Sequence, residues 1–151
     1  MKPASAWNSI LLNSVVATAA TSATSSWLSF RETGHAAAAL NATSHIVWGD
    51  AAARQDKADL RHTLVGAAIN AAAMVSWASV QQLFFPRARG AISALGLGAT
   101  VSGLAYVTDY YIVPRRLTPG FEKRLSPLAL SGVYAALAGA LGFGAWLARK
   151  R

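Results

Sequence analysis

The chain has 151 residues, of which 54% are hydrophobic and only 13% are charged, and its formal net charge is +8. Soluble domains carry about 25% charged residues, so this composition favours a membrane protein, and the length favours a single domain. The absence of cysteine from the sequence excludes disulfides and cysteine-based metal sites. The basic residues lie in clusters between long uncharged segments, which favours contact with anionic lipid headgroups and argues against nucleic acid binding.

Four segments are long and apolar enough to cross a bilayer as helices, because a hydrocarbon core of about 30 Å requires roughly 20 apolar residues. An open sheet is excluded in lipid, since its edge hydrogen bonds would stay unsatisfied. The sequence therefore predicts an all-α integral membrane four-helix bundle that forms one membrane domain over residues 1–151. The predicted spans are 6–30, 63–85, 91–113 and 126–148. The short connection at 86–90 predicts that the second and third spans form an antiparallel hairpin.

Two ridges of small residues predict close helix contacts, because small side chains let helix backbones approach each other. The first span, which is the least apolar, carries a hydroxyl ridge with a spacing of four residues: Ser14, Thr18, Ser22 and Ser26. The fourth span carries a second ridge with the same spacing: Gly132, Ala136, Ala140 and Gly144. A signal peptide is the alternative interpretation of the first span, since Lys2 precedes its apolar stretch. We favour an uncleaved helix.

Residues 34–52 join the first two spans and are too short and too polar for an easy fifth crossing. We expect an interfacial helix that lies on the membrane or a re-entrant segment enclosed by protein. A true crossing would change the parity of the later spans. Asp59 is placed to cap the second span. Positive residues are nearly balanced between the two sides, so the sequence leaves the orientation open. The basic residues expected at lipid headgroups are Arg87, Arg89, Arg115, Arg116, Arg149, Lys150 and Arg151.

The candidate polar or ligand site comprises the three histidines and one intramembrane carboxylate: His35, His45, His62 and Asp109. With four spans, the histidines lie on the same side as the proline-rich basic loop at 114–125. Imidazole is a common ligand of metals and haem. However, no metal-ligand spacing such as HExxH is present, so the sequence predicts no metal site. Hydrogen bonding of the histidines to backbone or headgroups is the alternative.

Asp109 has two interpretations. An ionisable residue within a span is a functional hypothesis by default. The alternative is an interfacial carboxylate that pairs with Arg115 or Arg116, or with Arg61 or His62 across the bundle. In both cases we expect Asp109 to face protein. The amides within the spans, Asn13, Asn70, Gln81 and Gln82, are expected to form interhelical hydrogen bonds.

Three segments, LNATSHIVWGD at 40–50, RHT at 61–63 and DYYIVPRRLTPGFEKRL at 109–125, resemble an uncharacterised family of small bacterial inner-membrane proteins. The resemblance implies a multi-pass location in a bacterial inner membrane and a structured face shared by the two long connections. It places five residues among the patterned positions of the family: His45, Trp48, Asp109, Arg116 and Glu122. It implies no activity.

The sequence contains no nucleophile elbow, P-loop, dinucleotide-binding fingerprint or paired-carboxylate site, so we expect no catalytic residues. We therefore expect a non-catalytic accessory or structural subunit of a larger membrane assembly. Its partners would be the lipid bilayer and other membrane subunits or copies of itself. One alternative is a small transporter or channel-like oligomer that uses Asp109 and the histidines. A second is a redox subunit that holds haem or quinone near the histidines.

Overall fold

The computed structural model describes residues 6–84, 88 and 90–149. In this part of the chain all regular secondary structure is helical, without strands. Its α-helices are α1 (Ala6–Thr33), α2 (Ala38–Thr43), α3 (His45–Trp48), α4 (Val65–Phe84), α5 (Ala91–Val107) and α6 (Pro127–Arg149). A π-helical turn at Leu60–Leu64 leads into α4, and another at Thr108–Ile112 extends α5. Short 3₁₀ turns lie at Ala52–Arg54, Arg115–Leu117 and Phe121–Lys123.

Three helices are long and apolar enough to cross a membrane by length and composition: Leu60–Phe84, Ala91–Ile112 and Pro127–Ala148. They correspond to the second, third and fourth predicted spans. Helix α1 has 28 residues, which is sufficient length, but it does not belong to this set. Its serine, threonine and asparagine side chains lower its hydropathy.

The four long helices run in alternating directions. Helix α1 packs between α4 and α6, and α5 packs along α6. Helices α4 and α5 contact each other only weakly although they follow one another in the chain. The predicted hairpin of the second and third spans is therefore loose, because each of its helices packs more closely against another helix than against its neighbour in sequence.

The α5–α6 contact depends on glycine. A Cβ atom added at Gly98 would lie 2.5 Å from the backbone nitrogen of Gly142 and would overlap the carbonyl oxygen of Ala138. One turn away, the Ser102 hydroxyl donates a 2.7 Å hydrogen bond to the Tyr134 carbonyl oxygen. Close approach of two helices through small residues is the packing expected when lipid offers no hydrophobic driving force between helices.

The small-residue ridge of α6 faces α1. A Cβ at Gly132 would lie 3.4 Å from a methyl carbon of Leu28, and one at Gly144 would overlap the Asn13 side chain. Between these two glycines, Ala140 is buried and Ala136 is half-buried. Helix α6 thus presents small residues to α1 on one face and to α5 on another.

The hydroxyl ridge of α1 is turned slightly away from the centre of its contact surface. Ser14 is buried, whereas Thr18, Ser22 and Ser26 are half-buried. The most deeply buried hydroxyl groups are Thr21, Ser25 and Ser29.

Two of the expected interhelical hydrogen bonds are present. The Asn70 amide nitrogen donates 3.1 Å hydrogen bonds to the hydroxyls of Thr21 and Ser22, and that of Gln81 donates to the Leu141 carbonyl at 3.2 Å.

Residues 34–52 do not form a fifth crossing, since α2 has six residues and α3 has four. All six residues of α2 are buried. Helix α2 packs against α1, α4 and the turn at Phe121–Lys123. It is therefore enclosed by protein, whereas Val47 and Trp48 of α3 are exposed. The placement of residues 34–52 on or in a membrane stays a prediction.

Candidate functional site

Both long connections lie at one end of the helices, and together they form a structure that we call the cap (residues 34–64 and 113–126). Side chains of the second connection reach the first: Lys123 Nζ lies 2.7 Å from an Asp50 carboxylate oxygen, and the Arg124 guanidinium binds the Asp56 carboxylate. The Arg116 guanidinium donates to the Ile46 carbonyl oxygen at 3.3 Å. The structure thus brings the histidine-bearing connection and the basic loop into contact.

Asn41 organises the first connection from within. Its amide nitrogen donates 2.9 Å hydrogen bonds to the carbonyl oxygens of Gln55 and Lys57, and its oxygen accepts a 2.6 Å hydrogen bond from the Thr63 hydroxyl. Asn41 is fully buried. A buried polar group must be satisfied by hydrogen bonds, so this one side chain fixes residues 55–63 over α2.

Two glycines allow the cap to lie directly on its neighbours. A Cβ at Gly66, in the first turn of α4, would overlap the carbonyl oxygen of Leu40 in α2. Gly120 adopts a φ of +84°, a left-handed conformation that favours glycine, and a Cβ there would lie 2.5 Å from the Ala42 carbonyl oxygen. The second connection therefore contacts the backbone of α2 closely.

The three histidines occupy different environments. His35 is exposed, and its carbonyl oxygen accepts a 2.8 Å hydrogen bond from the Ser29 hydroxyl. His62 Nδ1 lies 2.8 Å from an Asp59 carboxylate oxygen. His45 is buried, with Nδ1 2.8 Å from the Ala42 carbonyl oxygen. Because a carbonyl oxygen only accepts, Nδ1 of His45 carries a proton.

Asp59 caps the second span as expected. Its carboxylate accepts a 2.5 Å hydrogen bond from the backbone N–H of His62. This hydrogen bond, together with the one from the His62 ring, holds the pKa of the Asp59 carboxyl below its usual value.

Asp109 pairs with neither an arginine nor a histidine in the described part of the chain, contrary to the ion pair that one of its interpretations proposed. Its carboxylate accepts a 2.7 Å hydrogen bond from the Tyr134 hydroxyl of α6. It is half-buried and faces protein, as both interpretations required. Tyr134 lies within an aromatic cluster with Tyr106 and Tyr110, whose ring centroids lie 5.2 and 6.0 Å from its own.

An apolar cavity of about 280 Å³ is lined mainly by residues of α4, α6 and the cap. Apolar side chains dominate its walls, among them Met74, Phe121 and Leu137, while Asn70 and Asp109 supply polar groups. It lies beneath the cap, and none of the three histidines lines it.

A second cavity, of about 300 Å³, lies in the cap and is polar. Its lining residues are His45, Gly49, Asp50, Arg115, Arg116 and Lys123. Lys123, which hydrogen-bonds to the Asp50 carboxylate and adds Coulomb attraction, holds the pKa of the Asp50 carboxyl below its usual value. The ring nitrogen Nε2 of His45 is buried and has no hydrogen-bond partner in the described part of the chain.

The four candidate residues therefore do not form one site. His45 belongs to the polar cavity, Asp109 to the apolar cavity, and His35 and His62 to neither. No group of three or more histidine, aspartate or glutamate side chains that could hold a metal ion occurs among the described residues. The three histidines line no common cavity among those described, and none of them lines the apolar cavity.

The remaining residues singled out by the sequence also lie in the cap or outside the described residues. Trp48 donates a 3.2 Å hydrogen bond to the Arg61 carbonyl oxygen, and the Arg61 guanidinium carbon lies 4.5 Å from the centroid of its ring. Glu122 accepts a 2.7 Å hydrogen bond from the Thr118 hydroxyl. Arg115 and Arg116 are exposed. Four other residues expected at headgroups lie outside the described residues: Arg87, Arg89, Lys150 and Arg151. Arg149 ends α6, and its side chain lies outside the described part of the chain.

Sequence reasoning missed Asn41, Gly66 and Gly120, which hold the cap together. Asn41 stands in an alanine-rich stretch between two histidines, and a buried amide in such a stretch is a signal for a local hydrogen-bond network. The two glycines carried no signal, because the backbone that each one meets lies far away in sequence. Comparisons of the chain with models of protein families, with curated proteins and with solved structures found no match.

Proposed function

We propose that this chain is a non-catalytic multi-pass membrane protein, with α1 and the three apolar helices crossing the bilayer as a four-helix bundle. The exposed surface of the helices supports this proposal. Ile92 of α5 and Leu128 of α6 are 88% and 83% exposed, and a lipid environment would cover such side chains. In keeping with its resemblance to small inner-membrane proteins, we place the protein in a bacterial inner membrane.

Helix α1 suits a bilayer despite its polar composition, because its hydroxyl groups bond within the protein. Thr21 donates a 2.9 Å hydrogen bond to the Ala17 carbonyl oxygen, and Ser25 donates to that of Ser22 at 3.1 Å. The exposed large hydrophobic side chains of the helix are Trp7, Leu11, Val15, Trp27 and Phe30. The exposed charged residues Arg31 and Glu32 lie in its last turn. Satisfied hydroxyls on the inner face and apolar groups on the outer face meet the demands of a lipid environment.

Within this membrane protein, we propose the role of an accessory or structural subunit of a larger assembly. The observation that carries this role is the cap, in which two connections distant in sequence hold each other in one arrangement through Lys123 and Arg124. A preformed surface loses little conformational freedom when a partner binds. Val47 and Leu117 are exposed on it, beside the basic side chain of Arg115.

The test is native mass spectrometry of the protein extracted from its own membrane in polymer-bounded lipid discs. The wild type is expected to carry another membrane subunit in fixed stoichiometry. Leu117→Asn, at the cap, is expected to lose that subunit, whereas Ile92→Asn, an exposed apolar position at the opposite end, is expected to retain it. A wild-type protein that is always a lone monomer would remove the accessory role. A mass that is a multiple of this chain alone would assign the partner as a second copy.

A second candidate, a small transporter, is favoured by the apolar cavity. A carboxylate in an otherwise apolar cavity within a bilayer suits a lipophilic cation, because Asp109 supplies the countercharge and Asn70 a neutral hydrogen-bonding group. The histidines play no part in this version. Liposomes that contain the protein are expected to take up a lipophilic fluorescent amine, and Asp109→Asn is expected to abolish uptake while Glu122→Gln preserves it. Uptake equal to that of empty liposomes would exclude this function.

A further inference from the structure

We propose that the polar cavity of the cap is a binding site for a phosphate group. Three basic side chains, Arg115, Arg116 and Lys123, line it together with one carboxylate, Asp50. The cavity is therefore cationic even though Asp50 lies within it. Arginine is well suited to phosphate oxygens because its planar guanidinium presents several donors in a fixed geometry.

His45 provides the feature that distinguishes this cavity from an ordinary basic surface. Its side chain is 2% exposed and forms part of the cavity wall. The Ala42 carbonyl oxygen, 2.8 Å from Nδ1, fixes the ring and leaves Nε2 as the free position. Nε2 is buried without a partner in the described part of the chain. Buried polar atoms are nearly always hydrogen-bonded, so an atom of this kind in a cavity wall points to a ligand.

The chemistry of Nε2 favours phosphate over sulfate and carboxylate anions. Neutral imidazole with a proton on Nδ1 can only accept at Nε2. A phosphate or phosphate monoester, whose second pKa is near 6, retains an O–H in part of its population at neutral pH and can donate it to Nε2. Its other oxygens remain anionic and accept from the arginines and the lysine. Sulfate and carboxylate anions have no O–H at this pH and cannot satisfy a neutral His45.

Asp50 acts as a competitor for the ligand. Its carboxylate oxygen lies 2.7 Å from Lys123 Nζ, so the lysine is engaged until a phosphate oxygen replaces the carboxylate. Asp50→Asn is therefore expected to strengthen phosphate binding, and Lys123→Gln to weaken it. Both variants break the same ion pair. A cap that had merely lost an ion pair would respond in the same direction to both substitutions.

Two sources supply the same phosphate chemistry: a lipid headgroup and an ion in the surrounding water. The lipid source rests on the proposed membrane insertion, which would bring this end of the helices to the headgroup region, whereas the phosphate chemistry does not depend on it. Insertion is tested separately by labelling from the two sides of the membrane, so failure of the phosphate site and failure of the membrane assignment are distinguishable.

The experiment measures binding to the full chain, purified in a neutral detergent without phosphate. Inorganic phosphate and sulfate are titrated in solution. Lipid discs of phosphatidylcholine are compared with discs that also contain phosphatidic acid, which carries a phosphate monoester. We expect phosphate to bind at least about tenfold more tightly than sulfate, as charge-assisted hydrogen bonding with a matched donor implies. Binding to phosphatidic acid alone identifies the lipid source, and binding of inorganic phosphate alone identifies the free ion.

The variants then test which residues are responsible. Lys123→Gln is expected to weaken binding about three- to tenfold and Asp50→Asn to tighten it by a similar factor. Lys57→Gln, which removes an exposed cation of the cap outside the cavity, is the matched control and is expected to change nothing. His45→Phe is expected to abolish the preference for phosphate over sulfate, with its melting temperature showing whether the fold is retained.

Four results would each overturn the proposal. They are equal affinity for phosphate and sulfate, shifts in the same direction for Lys123→Gln and Asp50→Asn, an effect of Lys57→Gln as large as that of Lys123→Gln, and no binding of either phosphate source. Equal affinity for the two anions, or an effect of Lys57→Gln as large as that of Lys123→Gln, would leave only general attraction of anions to a basic surface. Shifts in the same direction would leave only the loss of an ion pair.

Discussion

The close contact between α5 and α6 can be tested by adding a single methyl group at Gly98. A Cβ there would lie 2.5 Å from the Gly142 nitrogen and 3.0 Å from its Cα, and would overlap the Ala138 carbonyl oxygen. All three are backbone atoms, so no side chain can rotate away and the two helices must separate. Gly98→Ala is therefore expected to lower the free energy of unfolding by about 1–3 kcal/mol, the usual cost of overpacking.

Two glycines of the same helix provide matched controls. A Cβ at Gly96 or Gly103 would meet nothing within 4 Å, and both positions are exposed. Because alanine forms helix more readily than glycine, Gly96→Ala and Gly103→Ala are expected to be neutral or to stabilise by about 0.5–1 kcal/mol. The same chemical change thus has opposite expected signs at positions on one helix.

Thermal unfolding in detergent, followed by tryptophan fluorescence, measures the difference, since the chain contains five tryptophans. For a chain of this size, about 1 kcal/mol corresponds to roughly 2–4 °C in melting temperature. Gly98→Ala is expected to melt several degrees below both controls. A Gly98→Ala variant that melts at or above Gly103→Ala would show that the two backbones do not meet at this point.

Two further predictions concern the cap. Asn41→Ala removes the donor to the Gln55 and Lys57 carbonyl oxygens and the acceptor of the Thr63 hydroxyl, so it is expected to destabilise by about 1–3 kcal/mol. Hydrogen exchange is expected to accelerate at residues 50–64 while α6 stays protected. Ser76→Ala, on the exposed surface of α4, is the control, and unchanged exchange at 50–64 would contradict the network. Because the pKa of Asp59 is lowered in the folded state by the His62 N–H, its contribution to stability is present above about pH 4 and is lost as pH falls through the lowered value. Exchange near the start of α4 is therefore expected to accelerate below about pH 4 in the wild type. In Asp59→Asn, exchange near the start of α4 should be fast at every pH. An identical pH profile in the two proteins would refute the helix-capping role of Asp59.

The long helices could be predicted from the sequence because their positions depend on local composition. The expected span at 126–148 corresponds to Pro127–Arg149, and the one at 91–113 to Ala91–Ile112. The end of the third span also depends on local sequence, since Pro114 cannot continue the helix that precedes it. The arrangement of the helices relative to one another was harder to predict from the sequence. Small residues predict that close contacts occur, but not that Gly98 meets Gly142 or that α5 prefers α6 to α4.

The candidate site was likewise predictable from the sequence only in part. The sequence indicates correctly that the two long connections lie at one end, since alternating helices require it. It leaves open whether α2 is buried or lies at a membrane surface, because its burial is supplied by Gly66 and Gly120 from other parts of the chain. Nor does it pair Asp109 with Tyr134, which lies 25 residues further along the chain. Contacts of this kind depend on the packing of whole helices rather than on spacing.

The central claim is that the helices cross a membrane and hold the whole cap on one side, and cysteine labelling tests it most directly. The sequence contains no cysteine, so each substituted cysteine is a unique reporter. In sealed vesicles treated with a membrane-impermeant maleimide, Lys57→Cys and Glu122→Cys, one from each connection of the cap, are expected to label from the same side. Ser93→Cys, at the other end, is expected to label from the opposite side, and Leu104→Cys, within α5, from neither. Labelling of positions 57 and 122 from opposite sides, or of position 104 in intact vesicles, would contradict the account.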